Sequence, residues 1–203
     1  MYKLIGRKGS GSMAPHLALE ELGVPYTITF VEREHLSTPE FLKLNPMGRV
    51  PALVLPTGQT MVESAAMLAY LTTAHPSELA PEPGTLAHAQ FLQWLVFLSA
   101  NVYETYLRFF YADRYTAAGE TGAAPVKAQA AADLEKQFGI VEAALSPCLA
   151  GPDLTLADHY LYMLSTWYDP TAAALYAKHP KIGALAKRLE ARAAVQKVLK
   201  ENA

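Results

Sequence analysis

Three prolines and a glycine fall within residues 75–84, and they divide this chain into two kinds of sequence. No regular helix runs through such a stretch. Before it, short apolar runs of strand length alternate with helical segments; after it, no strand pattern appears. Residues 2–6 read as a strand. Ser12 is a good N-cap for a helix over 13–22, with Pro15 in the first turn, where its missing N–H does no harm, and Gly23 at the end. Residues 26–31 alternate Tyr26, Ile28 and Phe30 and read as a second strand. Strand, helix and strand of this length form a βαβ unit with parallel strands and a right-handed crossover. Thr38 and Pro39 begin a short helix over 40–44.

The stretch from Asn45 to Ser64 carries the chemistry. Asn45-Pro46 and Gly48 mark a turn. Val50-Pro51 leads into an apolar strand over 52–55, and proline is tolerated at a strand's head. Pro56 and Gly58 set a turn, residues 60–62 return as a strand, and Glu63-Ser64 open an apolar helix over 65–73 that stops before Pro76. The expected order is βαβαββα. A cis Val50-Pro51 bond would leave the N–H and C=O of Val50 free to pair with an extended peptide, as an added strand would. A helix N-terminus attracts a carboxylate; the Ser64 hydroxyl adds a donor, and Glu63 can hold an amine. An amine and a carboxylate on one carbon fit both. Taken singly, Ser64 reads as an N-cap and Glu63 as a first-turn acid.

Composition narrows the partners. In 203 residues, 51% are hydrophobic and 18% charged, so a sizeable core forms. A net charge of −2 invites neither nucleic acid nor an acidic membrane. The single cysteine, Cys148, excludes an internal disulfide, and no residues have metal-ligand spacing, so no metal is expected. There is no signal-peptide core and no run of ~18 apolar residues. A soluble cytoplasmic protein is expected.

In the second half, Thr85 can cap a long helix over 86–108, continuing to 111. Phe91, Leu92, Trp94, Leu95, Phe97 and Leu98 nearly encircle it, which predicts burial. Tyr103, Tyr106, Leu107 and Phe110 share one face. Residues 116–124 read as a loop, with Pro125 starting a helix over 126–145. Cys148 reads as an inert buried thiol. Thr155 and Asp158 form a variant capping box at the head of a helix reaching Tyr168. Lys181, Lys187, Arg188, Arg192, Lys197 and Lys200 read as a solvated face.

The pattern Asn45-Pro46-x-Gly48-Arg49-Val50-Pro51-Ala52-Leu53, a hairpin, then Glu63-Ser64 and Tyr70-Leu71 closely resembles the cytosolic-type glutathione transferases. The likeness is strongest over 10–71 and returns at 154–167. It implies a thioredoxin-like α/β domain over 1–74, a linker over 75–83 and an all-helical domain over 84–203. It implies glutathione as co-substrate, a hydrophobic electrophile as second substrate, and a homodimer built on helix 65–73 and the helix from Leu86. By this resemblance Gly11, Arg49, Val50, Pro51, Glu63 and Ser64 surround glutathione, and Arg33 or His35 meets its glycine carboxylate. Tyr103, Tyr106, Phe110 and Trp167 line the electrophile's pocket. A glutathione-dependent reductase, an ether-cleaving enzyme, a dehalogenase or a non-catalytic scaffold would share the fold.

The segment Gly9 to His16 is nearest to the bacterial beta class of that family, but Gly11 stands where the class has a cysteine, followed by the matching Ser12. That departure weakens thiol exchange. Val96 and Tyr103 stand where the class has an asparagine and a histidine. A free thiol has a pKa near ~8.5. Hydroxyl or N–H donors and a helix N-terminus favour the thiolate, and about 2 pKa units require about 2.7 kcal/mol. Ser12 is the first choice of donor and Ser10 the second, with His16 structural.

Overall fold

The computed structural model describes all residues, 1–203. Strands β1 (Tyr2–Gly6), β2 (Tyr26–Phe30), β3 (Ala52–Val54) and β4 (Thr60–Met61) form one sheet in the order β2-β1-β3-β4. β1 runs parallel to β2 with Leu4 opposite Ile28, and antiparallel to β3 with Leu4 opposite Leu53. Helices α1 (Met13–Glu21), α2 (Pro39–Leu44) and α3 (Ser64–Ala74) complete the thioredoxin-like half. The β3–β4 turn closes with Gly58 N–H donating to the Leu55 carbonyl (2.9 Å).

The remainder is helical: α4 (Leu86–Phe97), α5 (Glu104–Phe110), α6 (Gly119–Ala144), α7 (Leu156–Ser165), α8 (Ala172–Lys178), α9 (Pro180–Glu190) and α10 (Ala193–Asn202). Thr85 caps α4 by accepting from His88 N–H (3.1 Å). Every residue of α7 is buried, and α1 and α3 pack against it. Buried side chains from both halves form one continuous core. The Asp158 carboxylate seats α7 by accepting from Thr155 N–H (2.8 Å), Thr155 Oγ (2.8 Å) and Leu149 N–H (2.9 Å). Burial pushes this carboxyl up, and those donors pull it back. No helix is long and apolar enough to cross a membrane.

Five expectations need correction. The long helix from Leu86 is not uniform: residues Leu98–Tyr103 form a π-helical insert between α4 and α5. Such inserts add a residue to a turn and re-aim the side chains beyond it. α4 is also less buried than its composition suggests, since Val96 is 63% exposed and Leu86 76%. α6 begins six residues before Pro125; its leading turns are exposed, so water can serve the carbonyl left without a proline N–H. The basic residues of α9 and α10 are not simply a solvated face. Arg192 binds Glu21 of α1 through Nε and Nη2 (2.5 and 2.6 Å), Lys197 binds Glu20 (2.6 Å), and Lys181 donates to the Leu145 carbonyl (3.0 Å). Ser12 occupies the N-cap position of α1, but its side chain does not cap.

Candidate active site

The β1–α1 loop is closed by its own serines. Both hydroxyls donate to the Arg7 carbonyl, Ser10 at 2.6 Å and Ser12 at 3.0 Å, while Arg7 N–H donates to Ser12 Oγ (3.1 Å). Ser12 is fully buried against Gly6, where a Cβ would collide with its Oγ. Each hydroxyl has one proton, and both protons are used here. The N–H groups of Ser10 and Gly11 make no hydrogen bond within the chain.

The β3 approach is set by Asn45. Its Nδ2 donates to the Arg49 carbonyl (2.6 Å) and its Oδ1 accepts from Met47 N–H (3.0 Å). This turn delivers Val50-Pro51, whose peptide bond is cis, and the N–H and C=O of Val50 have no partner in the chain. Beyond β4, Glu63 has φ 70° and ψ 101° and is the one non-glycine residue with positive φ. That geometry costs an L-residue on the order of 1–3 kcal/mol and clusters at functional sites. It turns the Glu63 side chain away from capping α3. The first N–H groups of α3 remain free, and Ser64 Oγ pairs with the Tyr160 hydroxyl of α7 (3.0 Å).

These elements converge on a cleft of about 960 Å³ between the two halves. Among the residues expected at the site, Ser10, Arg33, Arg49, Val50, Pro51, Glu63, Ser64 and Tyr103 line it. Gly11 lies beneath Tyr103, whose hydroxyl occupies the space a Gly11 Cβ would need. Burial holds the Tyr103 phenol above its ordinary range, with Arg49 pulling slightly the other way, so it stays protonated. That O–H has no hydrogen-bond partner in the chain, and Tyr103 faces the cleft.

The other expected residues stay outside the cleft. Ser12 is sealed behind the loop, and His35 turns to Phe41 (5.9 Å). Tyr106 is buried against Phe138 of α6 (6.3 Å), with Phe110 stacked on it (5.7 Å) and 51% exposed on its outer side. Trp167 packs behind Tyr103 at 5.2 Å as an edge-on support. The physical reason is angular. The face presented to the cleft runs through Ser99, Tyr103, Leu107 and Tyr111, four residues apart, and a three-residue step from Tyr103 turns Tyr106 towards α6. Sequence reasoning missed Ser99 and Tyr111 on that face, Tyr160 behind Ser64, and the guanidiniums of Arg7 and Arg114. The four-residue spacing of Ser99, Tyr103, Leu107 and Tyr111 was the signal that could have found the first two.

Comparison with known proteins places this geometry in context. Residues 12–74 match the model of the glutathione S-transferase N-terminal domain and residues 100–193 that of the C-terminal domain. Glutathione S-transferase 1 of Zea mays is 35% identical over 191 residues, covering 89% of this chain and 87% of the relative. Glutathione S-transferase GstA of Escherichia coli O157:H7 is 28% identical over 171 residues, covering 81% of each chain. A glutathione transferase homologue from Sulfitobacter, solved with bound glutathione, superposes with a TM-score of 0.89 at 27% identity, covering 99% of this chain and 98% of that one.

Proposed function

The chain belongs to the glutathione S-transferase family, and we propose that it joins the sulfur of glutathione to a hydrophobic electrophile, with the Tyr103 hydroxyl as the thiolate's principal donor. In this reading the γ-glutamyl carboxylate meets the free N–H groups of α3 and Ser64, and Glu63 accepts from the ammonium. The Val50 N–H and C=O pair with the cysteinyl residue as a neighbouring strand would. Of the two basic candidates for the glycine carboxylate, Arg33 lines the cleft and His35 does not, which favours Arg33.

The observation that carries the proposal is the protonated, unpartnered Tyr103 O–H against Gly11. A sulfur seated there receives a phenolic donor from one side and the loop N–H groups of Ser10 and Gly11 from the other. The serine hydroxyls, spent on the Arg7 carbonyl, act on the loop and not on the sulfur. A hydrogen bond to a charged group contributes about 1.5–3 kcal/mol, or about 1–2 pKa units on the bound thiol. The thiol proton leaves to solvent, the thiolate attacks the electrophilic carbon, a C–S bond forms, and the leaving group departs with its electron pair. Holding both reactants in the cleft supplies the proximity.

With glycine at position 11, no cysteine stands in the loop to form a mixed disulfide, which speaks against a thiol-exchange reductase. Ala65, Ala66 and Ala69 of α3 and Leu92 and Val96 of α4 line an apolar groove that a second copy would cover, which supports a homodimer. A reducing compartment such as the cytoplasm suits both the lone buried cysteine and the glutathione supply. The test is turnover. Purified protein with glutathione should convert 1-chloro-2,4-dinitrobenzene to its thioether well above the uncatalysed rate and should bind glutathione in calorimetry. Absence of both would refute the reading.

A further inference from the structure

Four guanidiniums, those of Arg7, Arg33, Arg49 and Arg114, line the cleft, and none of them forms an ion pair. The cleft's own carboxylates, Glu34, Glu63 and Glu104, form no ion pair with them. Glu104 accepts from the Tyr115 hydroxyl (3.0 Å) and faces Arg108 (3.9 Å). Glu63 is assigned above to an ammonium, and Glu34 pairs with none of the four. Glutathione brings two carboxylates, of which one goes to the α3 N-terminus and one to Arg33. Arg7, Arg49 and Arg114 are thus left with no carboxylate partner, either from the chain or among those assigned to glutathione.

Arg114 stands apart from the other three. It comes from the helical half, in the 3₁₀ turn Ala112–Tyr115 that follows α5. Its guanidinium lies 4.3 Å from the centre of the Tyr111 ring, and Arg33 approaches the same ring at 5.8 Å. Tyr111 continues the line from Tyr103 through Leu107 that walls the cleft. An α-helix rises about 5.4 Å per turn, so Arg114 sits on the order of 10 Å further along this wall than Tyr103. The wall therefore reads, from the sulfur outward, phenol, aliphatic side chain, aromatic ring, cation. The Tyr111 ring holds the guanidinium near the wall by a cation–π contact, and the guanidinium's planar fork suits a carboxylate.

We propose that Arg114 reads an anionic group on the second substrate, which is an aromatic or conjugated electrophile bearing a carboxylate. Its reactive carbon sits at the sulfur beside Tyr103, its flat body lies along Leu107 and Tyr111, and its carboxylate meets Arg114. This inference rests on the glutathione-transferase reading and narrows the hydrophobic electrophile expected from the sequence to an amphipathic acid. Arg114 is exposed at the rim, so its contribution is salt-sensitive.

The test uses a matched pair, 4-chloro-3,5-dinitrobenzoate and its methyl ester, each assayed with glutathione and normalised to its own uncatalysed rate. In both, sulfur displaces chloride from the ring carbon. The wild-type protein should prefer the acid in normalised kcat/KM. Arg114→Gln should lower the acid-to-ester ratio about 10-fold, the effect of one charge-assisted hydrogen bond. Arg114→Lys should retain part of the preference, and rising salt should erode it. Arg33→Gln should instead raise the KM for glutathione with both substrates. A wild-type preference for the ester, or a ratio unmoved by Arg114→Gln, would overturn the inference while leaving the transferase reading intact. No catalysed turnover of either compound by a protein that turns over 1-chloro-2,4-dinitrobenzene would also overturn the inference, while loss of that turnover together with glutathione binding would overturn the transferase reading itself.

Discussion

Replacing Glu63 by glycine should make the protein more stable and less able to bind glutathione at once. Glu63 sits at φ 70° and ψ 101°, outside the narrow left-handed well open to L-residues. Alanine at this position would keep the strain and lose the carboxylate. Glycine would lose the carboxylate and relieve the strain, at the cost of a more flexible unfolded chain. The strain is about 1–3 kcal/mol, and the extra entropy of glycine costs about 0.5–1 kcal/mol. Glu63→Gly should therefore exceed Glu63→Ala by about 1 kcal/mol. In a chain of this size that is a difference in Tm of about 2–4 °C, readable by thermal unfolding. Both variants lose the acceptor proposed for the γ-glutamyl ammonium. Calorimetry should show glutathione binding weakened by about 1.5–3 kcal/mol in each. If Glu63→Ala proved at least as stable as Glu63→Gly, the strain would be absent. If either variant bound glutathione normally, the strained residue would have some other purpose.

Three further outcomes follow from the packing. Burial alone would raise the Glu21 carboxyl, but hydrogen bonds from His159 (3.2 Å) and Arg192 (2.5 and 2.6 Å) hold it at about 2 against an ordinary 4.5. A depressed carboxylate stabilises the fold above its unfolded pKa, so roughly 2 kcal/mol, discounted for the partly exposed Arg192, should be lost as pH falls from about 4.5 to 2. Glu21→Gln should flatten that limb of a stability-against-pH curve, and an unchanged slope would refute the assignment. Ser12→Ala should cost about 1–2 kcal/mol by freeing Arg7 N–H, while the pKa of bound glutathione stays put; a rise of about one unit would restore Ser12 as a sulfur donor. Val96→Glu should shift sedimentation from twice the 22.1 kDa chain mass to that mass, and an unaltered dimer would place the interface elsewhere.

The sheet and its site edge were readable because their signals are local. Turn residues, the alternation of Tyr26, Ile28 and Phe30, and the Val50-Pro51 hairpin each act within a few positions of themselves. Thr85 could be recognised as a cap for the same reason. Ser12 was misread because its hydroxyl had two local options, the helix end and the loop behind it, and only the close approach of Gly6 decides between them. The helical side was less legible. Periodicity from Tyr103 predicts one face for an ideal helix but does not say which of its rows meets the cleft, and the π-helical insert at Leu98–Tyr103 resets that row. Arg192 and Lys197 looked like surface charge because Glu20 and Glu21 lie more than 170 residues away in sequence. Tyr160 was hidden for a similar reason: its partner Ser64 belongs to the other half.

In the proposed mechanism the Tyr103 hydroxyl stabilises the thiolate. Phenylalanine at this position keeps the ring that packs on Trp167 and removes only the donor. The most direct measurement is therefore the pKa of glutathione bound to the wild-type protein and to Tyr103→Phe, by thiolate absorbance against pH, with affinity and thermal stability recorded alongside. The bound thiol's pKa should rise by about 1–2 units in Tyr103→Phe while the fold keeps its stability. A bound thiol whose pKa is the same in both proteins would contradict it and leave the loop N–H groups of Ser10 and Gly11 as the source of activation.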